Sequence, residues 1–238
     1  MLLRFLVPLF MLACHGEQPA EPLDVSIRLG EGEVRAGQIR SPKALFGGIS
    51  AEGQVGDWKI YNSKAQFIVQ GIRPGHFYVD QGGGVVDADI VRPEGQPGGD
   101  IVDEWMAMVG FGRLLDPLDI RVLSDGSDGK SAVLQVVGRE SPMELITGAA
   151  ESDALIPDTG LEMVTTYELA PDSPLLKVTT EITSPNQALS VNVGDVLLAS
   201  MDVAALWEQG EGYSAPNSSP RRFTAYITQP YGSALPYG

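Results

Sequence analysis

Leu175-Leu176-Lys177-Val178-Thr179-Thr180-Glu181-Ile182-Thr183 runs for nine residues without a glycine or a proline, with apolar and polar residues alternating along most of it. β-branched side chains fit a pleated surface better than a helix, and a period of two places Val178 and Ile182 on one side and Lys177 and Glu181 on the other. The stretch therefore predicts a half-buried strand. Pro171-Asp172-Ser173-Pro174 precedes it. Each proline fixes its own φ, and an aspartate can bond its own backbone, so this tetrapeptide predicts a turn.

The same alternation recurs outward from that strand, at 25–29, 58–61, 65–69, 84–91, 118–123, 131–137, 162–169, 189–199 and 223–228. Asn62-Ser63-Lys64 separates two of these runs and reads as a hairpin connection. The 28 glycines and 17 prolines fall at spacings near one strand plus one turn. The expected fold is all-β, an antiparallel β-sandwich with few short helices. Helical turns are expected only at 100–108, capped by Asp100, and at 203–209.

Arg4, an apolar run over 5–13 and then Cys14 open the chain, and Cys14 is its single cysteine. One positive charge, a short hydrophobic stretch and a small residue at the cut make residues 1–13 an export signal. The run is far shorter than the ~20 residues a bilayer crossing needs, and Pro8 interrupts it. Residues 14–24 are polar and carry prolines, which predicts an extended tether. The body is then a β domain over 25–200, with 201–238 an irregular extension that reads as an incomplete continuation of it. The carboxyl end trails off in Pro, Gly and Tyr without a closing element, so the chain is expected to be a fragment of a longer protein.

Composition narrows the partners. The chain carries 31 acidic and 16 basic residues, a net charge of −15. Dispersed negative charge repels phosphate backbones, which argues against nucleic acid. Hydrophobic content of 43% suffices for a packed core. With one cysteine no intramolecular disulfide can form, so the core must supply stability.

Local patterns that imitate chemical motifs fail on context. Gly82-Gly83-Gly84 leads into a strand pattern where a dinucleotide loop would open a helix. Ser124-Asp125-Gly126-Ser127-Asp128-Gly129-Lys130-Ser131 ends like a phosphate loop but has Ser124 where the first glycine belongs, and its two Asp-Gly pairs predict a hairpin tip. Asp125 and Asp128 offer a Ca²⁺ alternative that lacks a third oxygen donor and a distal glutamate. Otherwise no cofactor or metal is expected. Asp87, Asp89, Asp100, Asp103 and Glu104 are the densest carboxylate group. Asp87 and Asp89 share a strand face, which suits acid–base work on a glycan or Ca²⁺ binding, or else a solvated sheet face with Val86, Ala88 and Ile90 turned inward. Beyond His15 the one histidine is His76, too few imidazoles for a zinc site or a Ser-His-Asp device.

Two resemblances follow from these residues. Met11-Leu12-Ala13-Cys14 resembles a bacterial lipobox, with methionine where leucine is usual. It implies lipidation at Cys14 and membrane attachment through acyl chains; His15, in place of an aspartate, favours the outer membrane. Gly56-Asp57-Trp58-Lys59-Ile60-Tyr61-Asn62, Phe67-Ile68-Val69, Gly83-Gly84-Val85-Val86-Asp87-Ala88-Asp89, Ser124-Asp125-Gly126 and Tyr167-Glu168-Leu169 together resemble the β-rich amino-terminal region of large exported bacterial proteins, some of which carry a metal-dependent hydrolase further on. The strand order is also similar to the supersandwich of aldose epimerases. The epimerases use two histidines with an acid, and the hydrolases use several metal-binding histidines. The resemblance, spanning about 44–200, thus implies a non-catalytic binding or scaffolding module with a protein or glycan partner. The alternative is a carbohydrate-binding or carbohydrate-active domain using Trp58, Asp87, Asp89, Asp103, Glu104 and Trp105.

Overall fold

The structure, a computed structural model, describes residues 23–48, 50–75, 79–100, 102–110, 112–143, 159–185 and 188–199, and the strands that follow at 205–208, 212–214, 225–228 and 234–237. Ten strands make one antiparallel sheet: β1 (Val34–Gln38), β2 (Trp58–Asn62), β3 (Ala65–Val69), β4 (Val85–Ile90), β5 (Val102–Val109), β6 (Arg113–Ser124), β7 (Ala132–Pro142), β8 (Glu162–Leu169), β9 (Leu176–Thr183) and β10 (Val193–Ala199). The all-β class expected from the alternation is what the chain adopts. Its hydrogen bonding follows a single open path from β1 to β9. A second, four-stranded sheet has the order β12 (Gly212–Ser214), β11 (Ala205–Glu208), β13 (Ala225–Thr228), β14 (Ala234–Tyr237).

β5 is the junction of the large sheet. One of its edges pairs with β10 along its length, from Val193 opposite Val109 to Ala199 opposite Val102. Its other edge is divided between β4, at Trp105, and β6, at Met108 and Val109. Strands on both sides leave no room for the helical turn expected at 100–108; ladder pairing overrides the local cap signal at Asp100. The turn expected at 203–209 is likewise replaced by β11.

The predicted strand at 175–183 is β9, the last in the path. Leu176, Val178 and Ile182 are half-buried against the main core, while Lys177, Thr179 and Glu181 are exposed. Charged outward residues blunt an edge that would otherwise invite another strand. Residues 25–29 do not extend into a strand: the Asp24 carboxylate accepts the Ser26 amide at 2.8 Å and bends the chain into a turn. The first strand is β1, which alternation does not reveal because Gly37 and Gln38 interrupt it. The hairpin at 62–64 is present. Asn62 Oδ1 accepts the amides of Lys64 and Ala65, and its Nδ2 donates to the carbonyls of Ala170 and Ser173, which ties this hairpin to the turn at 171–174.

Inner faces of β1 to β8 share one core, with Val34, Ile60, Val69, Leu134, Met163, Tyr167 and Leu169 essentially without exposure. Trp105 meets Tyr167 edge-on at 6.2 Å between ring centroids, and Tyr167 Oη donates to the Gly83 carbonyl at 2.7 Å. A second apolar layer covers the outer face of β2, β3 and β4: Val25, Leu29, Ile39 and Ala44 pack on Tyr61, Ile68 and Val86. The short 3₁₀ turn Pro42–Ala44 lies in this cover. Among the described residues no helix is long and apolar enough to cross a membrane.

Candidate functional site

The carboxylates of β4 lie beneath that cover. A bulge between Ile68 and Val69 lets Val86 and Asp87 face the same way, so the outer face carries Val86, Asp87 and Asp89 in near succession. Cross-strand pairing aligns Lys59, Ile68 and Asp87 in one row and Tyr61, Gln66 and Asp89 in the next. Asp87 and Asp89 share a face as expected. That face is dry: Asp87 is 0% exposed and Asp89 1%. The solvated-face expectation is therefore overturned, and Val86 packs in the outer layer instead of the main core, because residues 39–57 fold over the strand.

Asp87 and Asp57 hold pieces of that cover, whereas Asp89 and Asp100 bond β4, the loop after it and the start of β5. Asp87 accepts the amides of Glu52 and Gly53. A Cβ on Gly53 would stand 2.5 Å from Asp87 Oδ2 and 2.6 Å from Ile68 Cδ1, so only glycine permits this approach. Asp57 accepts the amides of Gln54 and Gly71 and forms a two-pronged ion pair with Arg73, at 2.7 and 2.9 Å. Asp89 is clasped the same way by Arg92, with the amides of Ile90 and Gly99 filling its remaining positions. Asp100 Oδ1 accepts the amides of Ala88 and Val102, while its Oδ2 has no hydrogen-bond partner. Burial pushes the Asp87 carboxyl up to about 7. Burial first, and the Asp87 charge second, push Asp100 up to about 8.

The other residues singled out in the sequence scatter. Asp103 and Glu104 are buried on opposite faces of β5, and both Glu104 oxygens accept the Val79 amide. Trp105 is a core residue, 7% exposed. Asp125 and Asp128 do sit at a hairpin tip, between β6 and β7, where Gly126 and Gly129 take φ of 79° and 80°. Their Oδ1 atoms accept the amides of Ser127 and Lys130, and Asp128 Oδ2 pairs with Lys130 at 3.2 Å. These oxygens hold the turn. Among the described residues no group of three or more His, Cys, Asp or Glu side chains is placed to hold a metal ion. Cys14 and His76 lie outside the described residues, as do residues 1–13, expected to be an export signal, and most of the expected tether over 14–24.

Of the proposed ligand contacts, Trp58 lines the larger concavity, and Asp89 borders a smaller hollow on the outer face of β2 and β3. The larger groove, of about 970 Å³, runs between β1 and the β6–β7 tip and is bordered by Trp58, Gln38, Arg40, Asp125, Lys130 and Glu168. Asp87, Asp89, Asp103, Glu104 and Trp105 do not reach it. Sequence reasoning missed two buried charged groups of consequence. Arg113 Nε donates to Glu140 Oε2 at 2.5 Å, deep between β6 and β7. Lys59 is 6% exposed on the outer face of β2. Alternation signals a face in each case, but not the contact that buries the charge.

Compared with known protein families, with curated proteins and with solved structures, the chain matches none.

Proposed function

We propose that this chain is a lipid-anchored module of the bacterial cell envelope that binds or scaffolds rather than breaks bonds, with the Trp58 groove as its ligand face. The observation that carries this reading is the contrast between the two regions. The internal carboxylates Asp57, Asp87 and Asp89 bond the protein's own amides and arginines, whereas the groove opens to solvent with aromatic, cationic and anionic groups side by side. A wide, mixed-polarity concavity suits a partner surface or an extended ligand. The second reading, a saccharide ligand, is favoured by the half-buried Trp58 indole beside Gln38, Asp125 and Glu168, a combination of flat apolar face and hydrogen-bonding rim.

Attachment is tested by feeding radiolabelled palmitate to cells that express the chain. The expected result is label on the wild-type protein, none on Cys14→Ser, and release of that variant from the membrane fraction. Unprocessed wild-type protein in the cytosol would end the proposal. Two acyl chains anchor stably where one does not, at about 0.8 kcal/mol per buried methylene.

The groove is tested by tryptophan fluorescence with a panel of oligosaccharides. Saccharide binding predicts a saturable fluorescence change in the wild type and, by calorimetry, no saturable heat in Trp58→Ala; because the indole also packs on the main core, circular dichroism must show that variant folded. An unresponsive wild-type protein removes the saccharide reading and leaves a protein partner.

A further inference from the structure

We propose that the hollow between residues 26–29, the 43–47 segment and the outer face of β2 and β3 is a binding site for a small organic anion, with the Lys59 ammonium as its anchor. The hollow measures about 360 Å³ and is lined by Arg28, Lys43, Phe46, Lys59, Tyr61 and Gln66, among others. That volume lies near the lower end of small-molecule sites and fits a single-ring acid or sugar phosphate, not a polymer.

Charge is the decisive feature. Lys59 is nine-tenths buried, yet among the described residues no carboxylate pairs with it. Its Nζ donates to the Ala44 carbonyl at 2.8 Å and lies 4.6 Å from the Tyr61 ring centroid and 5.7 Å from that of Phe46. An ammonium has three protons to donate, and one carbonyl accepts one of them. A buried cation without a counter-ion is costly, and the cost appears as desolvation that pulls the Lys59 pKa down to about 8. The carboxylate that lines the hollow, Asp89, cannot neutralise Lys59, because both its oxygens are already taken by Arg92 and two amides. Arg28 and Lys43 add two exposed cations at the mouth. Asp24 interacts with Lys43 and with Tyr61 from beside the hollow, so in a chain of net charge −15 the local excess of positive charge rests on Lys59 and Arg28. The aromatic walls and the Gln66 amide offer an apolar face and a hydrogen-bonding group to the body of the ligand.

Carboxylates and phosphate monoesters share the required chemistry, and the titration separates them. Full-length protein in detergent is titrated at low salt with glucuronate, glucose 6-phosphate and glucose, and followed by calorimetry. We expect saturable binding of one or both anions and none of glucose; whichever anion binds more tightly identifies the head group. At pH 8 binding should take up protons, visible as a heat that depends on the buffer's ionisation enthalpy, because an anion beside Lys59 favours its charged form. Arg28, Lys43, Tyr61, Asp89 and Arg92 are the other charged or titratable groups facing the hollow. Lys59→Gln should weaken binding at least about tenfold and abolish the proton uptake. Should that variant fail to fold, Arg28→Gln/Lys43→Gln keeps the test open, with an expected loss of about two- to tenfold. No saturable binding by either anion, equal binding of glucose, or unchanged binding in the folded Lys59→Gln variant overturns the site.

Discussion

Replacing Arg113 by Met is expected to lower the free energy of unfolding by about 3–5 kcal/mol, because it strands a buried carboxylate. Arg113 and Glu140 are 6% and 7% exposed, and their ion pair lies between neighbouring strands of the main sheet. Glu140 does more than neutralise Arg113. Its Oε1 accepts the amides of Thr159 and Leu161 and the Thr159 hydroxyl, and so holds the chain that enters β8. Methionine fills much of the arginine's volume but leaves the glutamate charged, buried and without its cation. A second substitution separates charge from packing: Arg113→Met/Glu140→Gln keeps an oxygen for the two amides and removes the stranded charge. It should recover a large share of the loss. Urea titrations at neutral pH measure both variants. A loss below about 1 kcal/mol for Arg113→Met would show that water reaches the pair and that it acts as a surface contact.

The second large effect depends on pH. Asp87 and Asp100 have folded-state pKa values raised to about 7 and about 8 from an ordinary aspartate value of 3.8. Between those limits the folded protein holds protons that the unfolded chain has released, so stability falls as pH rises from about 4 through about 8 and levels off beyond. Each group whose proton is retained contributes a slope of about 1.4 kcal/mol per pH unit. Asp57 and Glu52 face Asp87 as further negative charges, and Asp89 faces Asp100 in the same sense. Asp100→Asn keeps the oxygen that accepts the Ala88 and Val102 amides and removes the group with the partnerless Oδ2. The variant should therefore be more stable than wild type at pH 8.5, with the gap closing towards pH 5. Comparing the two proteins at each pH cancels the titration of distant groups. Parallel stability curves across pH 5–9 would mean that Asp100 is ionised and solvated in the folded state.

The fold was legible where one face of a strand meets one core. Alternation alone locates β8 and β9 within a residue and the start of β7, whereas β7 runs on to Pro142, five residues past the expected end. The 100–108 segment misleads because an aspartate before an apolar run is equally a helix cap and the start of a buried strand; pairing with β4, β6 and β10 decides between them. β1 escapes notice because five residues with an internal glycine carry too little pattern, and its partner β2 supplies the register.

The site was legible only in part. Alternation placed Asp87 and Asp89 together correctly, yet whether their face is wet depends on residues 39–57, which are distant in sequence. The same cover buries Lys59, whose neighbours Trp58 and Ile60 point the other way. Trp58 and Trp105 are chemically alike in the sequence, but one lines a groove and the other packs on Tyr167.

By itself, then, the amino-acid order determined the strand content, the turn at 171–174, the hairpins at 62–64 and 125–129, the strongly acidic character and the shared face of two carboxylates. These depend on torsional preference and on a two-residue period, both of which act over a few bonds. Tertiary structure alone decided which carboxylates meet amides, which meet arginines, which lysine among the described residues goes without a counter-ion and that Trp58 borders the groove while Trp105 is buried. Those outcomes turn on what lies across a face from a given side chain, and solvent exclusion is set by segments brought together from far along the chain.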